Sequence, residues 1–193
     1  MIIIANLNSK ISNYTASTNY HIKTYNYSGD NFIICESYIK DKKYVNKIEF
    51  FSETAIGEKT TSMDYYNGKT VNSYNETSKK VAILNRTDNI TQPRIPNKVE
   101  IYNPFYYILI SAISSIKSEE CNGKDCYRIV ILDGGIYYID KATGLTVRTI
   151  GEGTVSTNSG KMVDTITDFQ YEFDVVSEEH FIEPDIIEYE IQE

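Results

Sequence analysis

Apolar and polar residues alternate with a period of two along most of this chain, the pattern of strands with one wet face. Residues 14–27, "YTASTNYHIKTYNY", put Tyr14, Ala16, Thr18, Tyr20 and Ile22 on one side. "FIICESYIK" follows the turn "SGDN", and "YVNKIEFFSE" follows "DKK", which makes a long meander with short connections. Three shorter runs come next: "TSMDYY", "TVNSYNE" and "VAILN". Asn67-Gly68 divides the first two, and because both residues tolerate positive φ it predicts a hairpin. Six strands are thus expected before residue 86, and Pro93 and Pro96 exclude a central strand directly after them.

The period then changes. "PFYYILISAISSIK", residues 104–117, carries Ile108, Ala112 and Ile116 along one stripe that Tyr107 and Ile110 widen. Pro104 occupies the first helical position, where its missing N–H costs nothing. The segment is apolar nearly all round, so it predicts a helix covered by other structure. Five further strands are expected beyond it, over residues 118–175, leaving 176–193 as a C-terminal tail. In the last strand Phe169, Tyr171, Phe173 and Val175 share a face with Thr165 and Thr167, while Asp164, Asp168, Glu172 and Asp174 take the other. Between two of the strands, "DKATG" reads as a turn: Asp140 can bond its own backbone, and Gly144 supplies a positive φ.

The pattern therefore predicts an α+β fold, predominantly antiparallel β, of about eleven strands in one domain spanning residues 1–193. Composition adds that the aromatic content is 17 Tyr and 7 Phe with no Trp, which suits half-buried sheet positions. The net charge of −8 argues against nucleic acid, whose phosphates need clustered Lys and Arg. No apolar run approaches the roughly 18 residues of a membrane span, and "MIIIA" is too short for a signal-peptide core.

The segments "YYIDKATGLTVRTI", "TDFQYEFDVVSEEHFIEPD" and "MDYYNGKTVNSYNETSKKVAIL" together resemble the outer-membrane lipoprotein carrier (LolA-like) family. The resemblance implies an open half-barrel curled over one or two helices, with an apolar concave face that shelters acyl chains or docks a partner. It also implies an extracytoplasmic protein, membrane-anchored as a lipoprotein in its full-length form. The chain departs from the family in lacking Trp, and the family's N-terminal helix is barely legible. Its richness in Asn, Lys, Ile and Tyr is typical of AT-rich genomes such as those of clostridia. A clostridial relative in the family is a spore-germination lipoprotein that binds a cortex-cleaving amidase.

Candidate chemistry is sparse. His21 and His180 are the only histidines, and no nucleophile elbow or zinc-protease motif appears. Adjacent acids such as Glu119-Glu120 and Glu178-Glu179 point to opposite faces of a strand and cannot flank one bond. "GEGTVSTNSG" lacks the third glycine and the helix of a phosphate loop. No catalytic residue, metal or cofactor is expected. Cys121 and Cys126 bound the four-residue turn "NGKD"; they are either bridged in an exported protein or two free thiols, and the spacing lacks the second ligand pair of a zinc site. Arg148, alternating with Thr146 and Ile150, is a candidate partner-binding residue with Thr146, or else one end of a cross-strand salt bridge.

Two functions are expected from this reading. The first is a non-enzymatic adaptor that binds and regulates a cell-envelope protein, a peptidoglycan amidase among the options, with strand-exchanged homodimerisation as a further use of open sheet edges. The second is a carrier or sensor of lipid, with Tyr20, Ile22, Tyr107, Ile108, Phe169, Tyr171 and Phe173 lining the cavity.

Overall fold

The computed structural model describes residues 2–29, 31–52, 59–67, 69–84, 115–131, 134–151 and 162–192. The chain forms two compact units interleaved in sequence: residues 1–17 with 94–169, and residues 18–93 with 170–193. Among the described residues, twelve strands, mostly antiparallel, make an open sheet.

The second unit starts with the expected meander. β1 (Asn19–Ser28), β2 (Asn31–Lys40) and β3 (Lys43–Ser52) pair antiparallel along their whole lengths, Tyr20 opposite Ile39 and Tyr38 opposite Val45. β4 (Lys59–Tyr66), β5 (Val71–Asn75) and β6 (Lys80–Leu84) continue it. At the β4–β5 connection Asn67 accepts from the backbone of Lys69 at 3.1 Å and Thr70 at 3.2 Å; Gly68 lies outside the described residues. The core of this unit is Val45, Tyr65, Tyr74, Val81 and Tyr189, with Met63 and Phe181 packed on it.

In the first unit, helix α1 (Ile2–Thr15) precedes β7 (Ser115–Cys121), β8 (Lys124–Val130), β9 (Ile136–Asp140) and β10 (Thr146–Gly151). β11 (Thr165–Phe173) gives its first five residues to this unit and the rest to the other. Leu7 and Ile11 are 4% and 2% exposed. Leu7 packs with Ile129 and Ile139, against which Ile3, Ile116, Tyr127, Ile131 and Tyr137 are also laid. Each such burial contributes roughly 1.5–3 kcal/mol.

Four expectations are corrected here. Residues 14–18 do not begin a strand: the chain is helical to Thr15, because Ile3, Leu7 and Ile11 repeat at four-residue spacing and bury one helical face. The predicted helix 104–117 fails at its end, since Ser115–Lys117 belong to β7; its residues 104–114, with Tyr107 and Ile108, lie outside the described residues. The tail is structured: 3₁₀ turns at Glu178–Phe181 and Ile186–Glu188 lead into β12 (Glu190–Gln192), which pairs parallel with β6. The four-residue turn between the cysteines is a two-residue one, Asn122 and Gly123 at φ 51° and 73°, the Asn-Gly hairpin geometry.

The "DKATG" turn forms as expected. Asp140 accepts from the backbone N–H of Ala142 and the hydroxyl of Thr143, both at 2.8 Å, and Gly144 takes φ 76°. It also has a role the turn rules do not give: a Cβ on Gly144 would lie 2.5 Å from the Leu7 carbonyl oxygen and 3.1 Å from the Ile11 nitrogen. Gly144 is thus where α1 docks. Gly123 shares the left-handed φ, but a Cβ there meets nothing within 4 Å. Gly123→Ala should therefore cost about 1–2 kcal/mol from φ alone, and Gly144→Ala at least about 3 kcal/mol because the helix must shift as well. Urea unfolding of both variants checks this, and equal losses would remove the docking argument.

Candidate functional site

The first unit holds a polar latch. Arg148 and Asp168 stand directly opposite on β10 and β11, and their side chains form a fork: Nε donates to Oδ1 at 2.6 Å and Nη2 to Oδ2 at 2.8 Å. Asn122, from the β7–β8 turn, donates to Asp168 at 3.0 Å and accepts from Arg148 at 3.3 Å. Burial works to raise the Asp168 pKa, yet the hydrogen bonds from Arg148 and Asn122 hold it below the usual carboxylate range. Arg148 is therefore committed within the chain, the salt-bridge alternative of the sequence reading. Thr146 is 7% exposed. A bulge between Thr146 and Arg148 shifts the alternation, so that Thr146 and Val147 are both buried.

The cysteines lie beneath this latch as free thiols, packed with Val147 and Tyr138. The two-residue turn places Cys121 opposite Lys124 and Cys126 opposite Glu119. That diagonal, with Cα atoms roughly 7–8 Å apart in such pairs, replaces the direct opposition a bridge was expected to use. Burial pushes the Cys126 thiol up to about 11 and raises Cys121 as well, so both stay protonated at neutral pH.

In the second unit the segment from Asp174 to Gln192 is strapped to the strands by side chains. Asn19 donates to the Val176 carbonyl at 3.1 Å and accepts from its N–H at 3.0 Å. Glu178 receives Lys40 and Lys43, each at 3.0 Å. His180 and His21 both stack on Tyr38 with ring centres 4.5 Å away. His180 Nδ1 accepts from the Ser177 backbone at 3.1 Å, and His21 lies 2.8 Å from Glu172 and 3.2 Å from Glu36. Burial, then the neighbouring Glu36, pushes the Tyr38 hydroxyl up to about 12. Further along, Glu183 accepts from Asn72 at 2.6 Å and Tyr74 at 2.8 Å, while Tyr189 donates to Glu76 and sets its ring edge-on to Tyr74.

This strapping fixes what faces outward. Phe181 and Tyr189 turn toward the core, whereas Ile182, Ile187 and Ile191 are 70%, 87% and 59% exposed and Ile186 is exposed too. Among the described residues, no three metal-binding side chains converge and no helix is long and apolar enough to cross a membrane.

Of the residues expected to line a cavity, Tyr107 and Ile108 lie outside the described residues. Tyr20 and Ile22 are buried, and Phe173 lies 6.5 Å from Tyr20, ring centre to ring centre. Burial raises the Tyr171 hydroxyl pKa. A cavity of about 260 Å³ occurs in the first unit, bordered by Ile3, Asn6, Leu7 and Lys10 of α1 with Tyr127 and Lys141, none of which was singled out from sequence. The helical spacing of Ile3, Leu7 and Lys10 was the signal that could have found it.

Neither a family model nor a curated protein matches the chain. Solved structures do. An uncharacterized conserved protein from Thermus thermophilus is similar over 97% of both chains, at TM-score 0.54 and 10% identity, which supports a shared fold and nothing finer. MucB in complex with MucA(peri) matches 95% of this chain and 60% of its own, at TM-score 0.44 and 7% identity. A DUF1329 family protein from Desulfovibrio piger matches 93% of this chain and 97% of its own, at TM-score 0.34 and 12% identity. At those scores the latter two carry no argument about function.

Asp168→Asn should cost about 1–3 kcal/mol at neutral pH, since Arg148 loses a charged partner in a half-buried site. The sign of its pH dependence follows from the lowered pKa. The contribution is present above the unfolded value of about 3.9 and is lost as pH falls through the folded one. Denaturant titrations of both proteins should therefore converge as pH drops from 7 toward 2; a constant gap would show that the charge is irrelevant.

Proposed function

We propose that this chain is a non-enzymatic, extracytoplasmic binding protein with a LolA-like half-barrel, and that it docks a cell-envelope protein through the C-terminal strap. One observation carries the reading. All four isoleucines between residues 182 and 191 are exposed on a segment whose aromatic and acidic side chains pin it to the strands. Isolated surface isoleucines need no explanation, but a short segment that turns every one outward while packing Phe181 and Tyr189 inward presents apolar surface on a rigid support. β12 adds an edge strand beside them, the kind of edge that accepts a partner's backbone.

At its finest the proposal names the partner as a peptidoglycan amidase of the spore cortex and the full-length protein as a lipoprotein. The support for that part is the sequence resemblance alone. A strand-exchanged homodimer is the competing use of the same edge, and lipid is the competing ligand.

Photo-crosslinking separates these readings. A benzophenone side chain placed at Ile187 or Ile191, in the envelope of the native organism, should give one discrete adduct that mass spectrometry identifies as an envelope protein. The same probe at Lys124 should give none. An adduct of twice the chain's own mass points to the homodimer and a lipid adduct to the carrier. Equal, diffuse labelling at all three positions would end the proposal.

A further inference from the structure

The cavity beside α1 has a chemistry of its own, independent of the strap. Its apolar lining includes Ile3 and Leu7, and its polar lining residues are Asn6, Tyr127, Lys10 and Lys141. Among the described residues, no carboxylate side chain lines it. Lys141 is already compensated: its Nζ pairs with Asp125 at 2.6 Å, donates to Ser118, and lies 4.9 Å from the Tyr127 ring centre. Lys10 is not. It donates to the neutral carbonyl of Lys141 and forms no ion pair among the described residues. An ammonium carries three N–H donors, so two remain for a ligand.

What sets Lys10 apart is its position: a part-buried ammonium at a cavity that no carboxylate side chain lines among the described residues. Several lysines elsewhere do meet acids: Lys40 and Lys43 share Glu178, Lys47 and Lys59 share Glu49, and Lys79 takes Glu76. The backbone contact also orients Lys10. Its ammonium is tied to the β9–β10 turn that Gly144 seats against α1, so the donor is held by the same packing that fixes the helix.

We infer that this cavity binds a small organic anion, with an apolar body on Ile3 and Leu7 and a carboxylate or phosphate head on Lys10, completed by donors from Asn6 and Tyr127. The volume equals that of roughly nine water molecules at about 30 Å³ each, enough for a single ring or a short chain with its head group. Charge-assisted hydrogen bonds to a partly desolvated ammonium supply the selection for an anion over its neutral isostere.

The test uses benzoate and phenyl phosphate against benzamide, titrated into the full chain while the Tyr127 and Lys10 side-chain resonances are followed by NMR. The anions should shift both with half-saturation near about 1 mM or below, and benzamide should bind at least about tenfold more weakly. Lys10→Met should abolish that preference and Lys10→Arg should keep it, with unfolding curves verifying that both variants fold. Phosphatidylglycerol vesicles form a second arm, against phosphatidylcholine. If they alone shift Tyr127, the head group is a lipid's; if benzoate does, the ligand is a free anion. Equal binding of benzamide and benzoate, a preference that survives Lys10→Met, or no shift by any probe up to about 10 mM would overturn the inference.

Discussion

Acid-to-donor pairing holds the C-terminal segment in place, and the exposure of its isoleucines follows from that. Glu178 takes two lysines, Glu183 takes Asn72 and Tyr74, and Glu76 takes Tyr189. Each pair alone is worth little at a wet surface. Together with the Tyr38 stack and the β12–β6 pairing they order nearly twenty residues without drawing on the isoleucines. The apolar anchors of the segment are Val176, Phe181 and Tyr189, which leaves the isoleucines facing solvent.

The two units use polar groups differently. In the strap, acids meet donors from successive strands, and each contact is a separate clasp. In the latch, a single fork between Arg148 and Asp168 is shared with Asn122 from a third element, so one turn and two strands are tied by the same few atoms. The Asn122-Gly123 turn sets that geometry: one residue more in the loop would carry Asn122 away from Asp168 and move the cysteines relative to each other.

Strand content was legible because alternation is a direct record of one-sided burial, and long runs such as residues 31–40 and 43–52 leave little choice of register. The "DKATG" turn was legible for the same local reason. Helix α1 was not. Asn6, Asn8, Ser9, Ser12 and Asn13 are weak helix formers, and only the tertiary contact of Leu7 and Ile11 outweighs them. The strap was missed because its order comes from partners more than 100 residues away, such as Asn72 for Glu183. No periodicity within residues 176–193 encodes that. Likewise the cavity depends on Lys141 meeting Lys10 across the fold, a contact between two residues that look ordinary in the sequence.

The pairing of Glu190 with Lys80 has a consequence for biosynthesis. Residues 18–84 are a run of local hairpins that can assemble as they leave the ribosome, but the outer edge of β6 stays open until residues 190–192 have emerged. Throughout that interval Val81, wholly buried in the finished protein, stands at an unprotected edge where another nascent chain could add.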